Sequence, residues 1–335
     1  VPVFNEAGTI PGFLAELSRQ CQVSLELVIS DGGSDDGSLA AVDSCRASFP
    51  FPLRVLSGPR GRAGQLNRGA EASGAPTLLF LHIDSHFPDP LALRKGLDQL
   101  EAQSGCGVPL AGHFALEFHF PEQTPLPYRF YGAKAALDRP GCTHGDQGFL
   151  ISAQDFRRVG PFDSELPLME DGFFAERIRE TGRWLLLPAV IRTSPRRFLS
   201  EGLLPRQTLN AMISNLAAIG RLDLVEELRG CYRTQHAAER LVLRPFFRHI
   251  KAWIAALPAQ ERARFWSATG SYIRSNAWQI AFFFDVVSGR FKKGKGGRLL
   301  AWHDRYLAPL LDSRLGNAAA VLLVKVWFRM MLLRA

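Results

Sequence analysis

Three apolar runs near the start of the chain each end in polar or acidic side chains, and each is followed by an amphipathic stretch. They are Val1-Pro2-Val3-Phe4-Asn5-Glu6, Ile29-Ser30-Asp31-Gly32-Gly33-Ser34 and Leu79-Phe80-Leu81-His82-Ile83-Asp84. A buried parallel strand reads as such a run. Between the first two, residues 9–20 set Ile10, Phe13, Leu14 and Leu17 on one helical face. The alternation continues with strands over 25–30, 53–57 and 77–82 and helices running to about 48, 72 and 103. This βαβα rhythm predicts a parallel sheet with helices on both faces. Ligands of such sheets bind beyond the carboxyl ends of the strands. Acidic side chains delivered to that edge, with Glu170-Asp171 following Met169, suit a metal and a phosphorylated ligand.

After residue 103 the pattern is less regular. Strands are expected over 113–120, 147–152, 184–187 and 190–193, and helices over 127–137, 153–159 and 171–180. Ser34 or Asp35 is expected to cap the second helix. From about 200 onward the pattern is helical, with candidates at 205–219, 222–229, 236–257 and 260–287 and two more between 299 and 333. Two domains follow, at 1–200 and 201–335.

A hydrophobic content of 47% among 335 residues provides for a sizeable core. The net charge of +8 points to an anionic partner. The five cysteines (Cys21, Cys45, Cys106, Cys142 and Cys231) form no CxxC pair. Their scatter argues against a disulfide framework or a structural zinc site and for the reducing cytosol. Val1 opens inside a strand without a Met, so the natural chain is expected to begin upstream. No apolar run is expected to reach a membrane span. The nearest, 318–333, contains Lys325 and Arg329.

Asp31-Gly32-Gly33-Ser34-Asp35 combines a strand-end carboxylate with glycines that allow close backbone approach and a helix start suited to an anion. An Asp-Gly turn with a capped helix explains the same residues. The loop Gly58-Pro59-Arg60-Gly61-Arg62-Ala63-Gly64-Gln65-Leu66-Asn67 carries two arginines, whose planar fork favours phosphate. It lacks the Gly-Lys-Ser/Thr ending of a P-loop. His82 and Asp84, two apart on a strand, are expected to face the same way and could hold a divalent cation. Glu170 and Asp171 fall at a helix start, where the dipole favours ionised carboxylates. A simple cap pair would read the same.

The ordered set of these motifs, with Gly145-Asp146-Gln147-Gly148, Pro167-Leu168-Met169-Glu170-Asp171 and Thr193-Ser194-Pro195-Arg196-Arg197-Phe198, resembles the family 2 glycosyltransferases of the GT-A fold. More narrowly it is similar to the radical-SAM/selenodomain-associated transferase 2 type. The resemblance spans residues 1–220. It implies an α/β, Rossmann-like mixed sheet flanked by helices, with a C-terminal helical extension. It implies a nucleotide site at Pro2, Asn5, Glu6, Asp31, Gly33, Arg60, Arg62, Asn67 and His82. Gly145, Asp146 and Gln147 would line the donor-sugar or acceptor pocket, and Arg196 and Arg197 would grip the diphosphate. Asp171 would be the catalytic base with Glu170 beside it. Asp84 would take the last position of the metal-binding Asp-X-Asp, with His82 in place of its first Asp, and the cation would be Mn²⁺ or Mg²⁺.

The expected partner is a nucleotide-diphosphate sugar, with an acceptor that could be lipid-linked; nucleic acid is not expected. Lys292, Lys293, Lys295 and Arg298 beside apolar helices suit peripheral contact with anionic lipid at the inner face of the plasma membrane. The alternative is a degenerate nucleotide-binding or scaffold module.

Overall fold

A computed structural model of the chain describes every residue except Cys106, Thr234, 236–239 and Ala335. Two compact units result: Val1–Ser194 with Lys293–Lys295, and Pro195–Lys292 with Gly296–Ala335.

The first unit carries seven strands among its described residues: β1 (Pro2–Val3), β2 (Leu27–Asp31), β3 (Leu53–Ser57), β4 (Thr77–Phe80), β5 (Leu110–Phe118), β6 (Phe149–Ser152) and β7 (Arg183–Thr193). Its helices are α1 (Ile10–Leu17), α2 (Ser38–Arg46), α3 (Arg62–Ala72), α4 (Ala92–Gln103), α5 (Leu126–Ala135), α6 (Ala153–Val159) and α7 (Glu170–Thr181). Strands β1, β2 and β3 pair in parallel in that order, as the rhythm predicts. The second sheet, β4-β6-β5-β7, is mixed, because β6 runs antiparallel to both β4 and β5. The mixed order is the one the resemblance implies; the parallel sheet read from the βαβα rhythm holds for β1, β2 and β3 and gives way in the second sheet, where β6 reverses after the turn at Gly145–Gln147.

Burial explains why these elements hold. Phe114, Phe149, Phe162, Phe174, Ile29 and Ile178 are fully buried. Helix α7 presses Phe174 and Ile178 into the cluster containing Phe149 of β6 and Phe80 of β4. The Phe162 and Phe174 rings lie 4.3 Å apart. Each such side chain contributes roughly 1.5–3 kcal/mol on burial.

Three local expectations need correction. Helix α2 is preceded by Gly37 with no side-chain cap, since Ser34 and Asp35 are engaged elsewhere in the loop. The two strands expected at 184–193 form one, because β5 pairs with β7 along its length across a register shift between His113 and Ala115. Strand β4 ends at Phe80, so His82 and Asp84 lie in the turn beyond it and the alternation of a pleat does not orient them.

The second unit is helical, with a two-residue β8 (Phe291–Lys292) and β9 (Gly296–Gly297) as a small hairpin. Its helices are α8 (Arg196–Glu201), α9 (Leu203–Ala218), α10 (Leu222–Arg233), α11 (Arg244–Ala256), α12 (Ala259–Ser275), α13 (Trp278–Val287), α14 (Arg298–Trp302), α15 (Ala308–Leu311) and α16 (Arg314–Arg334). The first residues of the helix expected at 236–257 lie outside the described residues. The long helix expected over 260–287 breaks at Asn276-Ala277 into α12 and α13. The expectation about membrane spans also changes. Arg314–Leu333 has a mean hydropathy of 1.5 and is long and apolar enough to cross a membrane, its two internal cations notwithstanding.

Candidate functional site

The loops after β1 and β2 are locked to each other. Asn5, at φ 55°, donates its backbone N–H to Ser34 Oγ (2.9 Å) and its side-chain amide to Asp35 Oδ1 (2.8 Å). Asp35 N–H donates back to Asn5 Oδ1 at 3.0 Å. Glu6 N–H donates to Ser38 Oγ, and the Glu6 carboxylate accepts from Thr9 Oγ1, both at 2.8 Å. Asp31 is buried, and its carboxylate accepts from Gly33 N–H (2.9 Å), Ser34 N–H (3.2 Å) and Ser34 Oγ (2.6 Å). Gly33 has φ +86°, which an L side chain rarely adopts. Asp31 therefore shapes the loop from within, while Gly33 and Asp35 stay exposed.

Helix α3 fastens this cluster to the rest of the unit. The buried Gln65 amide donates to Val3 O (2.8 Å) and Ser30 O (2.7 Å), tying the ends of β1 and β2 together. Arg68 donates to Ser30 Oγ and Asp31 O, each at 3.1 Å. Asn67 pairs in both directions with the Phe162 backbone, at 2.8 and 2.9 Å. The Arg60 guanidinium stacks 3.8 Å from the Phe4 ring centroid. Arg62, first residue of α3, places Nε 3.5 Å from Oε1 of the buried Glu170.

That ion pair leads to the second cluster. Leu66, Phe80, Leu81, His82, Gly145, Phe149, Phe162 and Asp171 line one cleft. Met169 enters α7 at φ 66°, a left-handed conformation costing a non-glycine residue roughly 1–3 kcal/mol, and so delivers Glu170 and Asp171 to the helix start. Asp171 Oδ2 accepts from Gly145 N–H at 2.6 Å, and Oδ1 accepts from its neighbour Gly172 N–H at 2.9 Å. A Cβ added at Gly145 would lie 2.9 Å from His82 Nε2 and 3.0 Å from Asp171 Oδ2, so the imidazole and the carboxylate flank this one backbone position.

The carboxyl groups are tuned apart. Burial alone would raise Asp171, but His144, Arg62, the Gly145 N–H and His82 together hold it below the usual carboxylate range. Burial raises Glu170; Arg62 opposes this and the Asp171 charge adds to it. Asp146 is pushed up to about 6, chiefly by burial, with His144 opposing and Asp171 and Asp84 adding. Its buried Oδ1 has no hydrogen-bond partner. An orphaned oxygen in the field of two further carboxylates suits a cation. Among the described residues no three His, Cys, Asp or Glu side chains converge as a self-sufficient metal cage. The donor set suits an ion held by one or two side chains and completed by phosphate oxygens, as Mg²⁺ commonly is.

Gln147 works inside the turn. Its amide donates to Ala135 O and to His113 Nδ1 (3.0 Å), and its carbonyl accepts from His144 N–H at 2.7 Å. Burial lowers His113 to about 4, so the ring is neutral and can accept at Nδ1. Arg196 and Arg197 belong to the second unit, where both are exposed at the start of α8. Pro2 sits in β1 opposite Ser30. Sequence reasoning passed over Gln65, Arg68 and His144. Each lies within or beside a quoted motif, but nothing local reveals that its partner is a distant carbonyl or carboxylate.

Residues 1–155 match the family model described as Glycosyl transferase family 2. Over those residues the chain is similar to family 2 glycosyltransferases, and the mixed sheet flanked by helices, with a helical region following, is of the GT-A type. An uncharacterized glycosyltransferase, YfnE of Bacillus subtilis, is 28% identical over 95 residues, or 28% of this chain. The match spans only 23% of that relative. Among solved structures, the mannosyltransferase PcManGT from Pyrobaculum calidifontis, in complex with GDP-Man and Mn²⁺, is 17% identical, with a TM-score of 0.47 over 97% of this chain and 85% of that one. TarS 1-349 of S. aureus, in complex with UDP, is 16% identical, with a TM-score of 0.49 over 86% of this chain and 85% of that one.

Proposed function

We propose that the chain is an inverting glycosyltransferase that moves a sugar from a nucleotide-diphosphate donor to an acceptor hydroxyl. The observation that carries this reading is the divergence of two adjacent carboxyls at the start of α7, of which Asp171 lines the cleft. Asp171 is held ionised while Glu170 is drawn toward its neutral form. Pairs separated in this way mark acid and base roles.

In this reading Asp171 takes the proton from the acceptor hydroxyl as that oxygen attacks the anomeric carbon. The bond to the leaving diphosphate breaks in the same displacement, which inverts configuration. Gly145 N–H keeps the carboxylate aimed, and Arg62 holds Glu170 beside it. Arg60 and Arg62 supply positive charge for the diphosphate, and Asn5, Glu6, Asp31 and Gly33 form the loops against which the nucleoside packs. A divalent cation, Mn²⁺ or Mg²⁺, would be held by Asp84 and His82 and would neutralise charge on the leaving diphosphate. Gly145 and Asp146 border the sugar or acceptor. The motif set favours the radical-SAM/selenodomain-associated transferase 2 type, the scattered cysteines favour a cytosolic location, and the basic loop beside apolar helices favours a lipid-linked acceptor.

The test is Asp171→Asn, assayed for donor turnover across a panel of nucleotide sugars with Mn²⁺. Asparagine still accepts from Gly145 N–H but cannot take a proton. Turnover should drop by about 10²- to 10⁴-fold with nucleotide affinity unchanged. Equal turnover by variant and parent removes the base assignment. Nucleotide binding without turnover by the parent leaves only a binding module.

A further inference from the structure

Helix α16 has three sectors, and one of them is packed inside the protein. Ala320 and Val324 are buried. Phe328 meets the rings of Phe247 on α11 (5.3 Å) and Trp266 on α12 (5.7 Å). Gly270 of α12 lets Val321 approach so closely that a Cβ there would sit 2.5 Å from its Cγ2. One side of α16 is therefore firmly packed within the second unit.

The second sector is apolar and open. Leu315, Leu322, Val326 and Leu333 are exposed, Leu315 to 84% and Leu333 to 87%. At about 100° per residue these four positions fall within about 40° of one another. Leu323 and Met330 widen the stripe on one side, and Trp327, 40% exposed, borders it. The third sector is cationic. Arg314, Lys325 and Arg329 share a flank about 60° wide on the other side of the stripe, where Lys325 Nζ also lies 5.5 Å from the Trp266 ring of α12. The helix contains no acidic residue. The segment from α14 to α15 repeats the pattern in a shorter form. Leu299, Trp302, Tyr306 and Leu310 are exposed at helical spacing, with Arg298 and Arg305 and one acidic residue, Asp304, in the same segment.

We infer that this face of the second unit is a docking surface for an anionic lipid bilayer, with α16 lying along the headgroup layer. An open apolar stripe edged only by cations matches the two components of peripheral binding, apolar burial and attraction to negative headgroups. A second copy of the chain would bring the same cations against each other. A spanning orientation would require α16 to leave α11 and α12. The inference rests on the second unit alone and is independent of the transferase reading.

The 335-residue chain is sedimented with phosphatidylcholine vesicles and with vesicles that also contain phosphatidylserine, at low and high salt. Binding is expected only to the anionic vesicles and should be released by salt, since screening shortens the reach of the charges. The double variant Lys325→Gln/Arg329→Gln should bind about 30-fold more weakly, at about 1 kcal/mol per cation. Leu322→Ser/Val326→Ser, which keeps every charge, should also lose binding; an unchanged circular dichroism spectrum and melting curve confirm its fold. Equal binding to both vesicle types, binding to neither, or retention through the high-salt wash overturns the inference. So does a concentration-dependent dimer, seen by sedimentation velocity, that Leu322→Ser/Val326→Ser dissociates.

Discussion

A methyl group on Gly145 would sit 2.9 Å from His82 Nε2 and 3.0 Å from Asp171 Oδ2, so the absence of a side chain here keeps the two groups on either side of one backbone amide. Gly145→Ala is expected to lower activity about 100-fold, the usual effect of a misplacement near 1 Å, with little change in melting temperature. Steady-state kinetics beside calorimetry check this; wild-type activity in the variant would show that the cleft can give way. His113 predicts a pH dependence. Its ring is neutral in the folded protein to about pH 4, whereas an unfolded histidine takes up a proton near 6.5. Between these values the unfolded state binds the extra proton. Stability is therefore fully present above about pH 6.5 and is lost as pH falls toward 4, by about 3 kcal/mol. Protonation would also set two donors, His113 Nδ1 and the Gln147 amide, against each other. Urea titrations from pH 7 to pH 4 should show this loss, with a shallower slope in His113→Gln. Identical slopes would remove the assignment.

At the scale of elements, α3 is the clamp. Its Gln65 reaches past its own helix to the carbonyls that end β1 and continue β2, and its Asn67 and Arg62 reach toward the Phe162 loop and α7. Gln65→Leu has similar volume but leaves those two buried carbonyls without this donor. A cost of about 2–4 kcal/mol in urea unfolding is expected, with a larger loss in nucleotide affinity than in secondary structure. A cost below the error of the titration would mean that water substitutes for the amide. The clamp also shows where sequence legibility ends. Helix α3 itself was readable from its glycine-rich entry and apolar positions, and β1, β2 and β3 from their apolar runs. Gln65 was not readable as a bridge, because its partners lie 62 and 35 residues away along the chain. The turn holding His82 and Asp84 was misread as strand, because Leu81 and Ile83 are buried as strand residues would be.

For the whole molecule, alternation of apolar runs with amphipathic stretches was enough to place most elements of the first unit and the helical character of the second. Both periods, about 2 and 3.6 residues, are local and are written directly in the side chains. The candidate carboxylates and arginines were also nameable, because strand ends and helix starts are local features. Three things were decided only on folding: the reversal of β6 between β4 and β5, the opposite tuning of Glu170 and Asp171, and the open stripe along α16. Each depends on which surfaces meet across large separations. Sheet order is set by which apolar faces pack, a proton affinity by the charges and water around a group, and exposure by what the rest of the chain leaves uncovered.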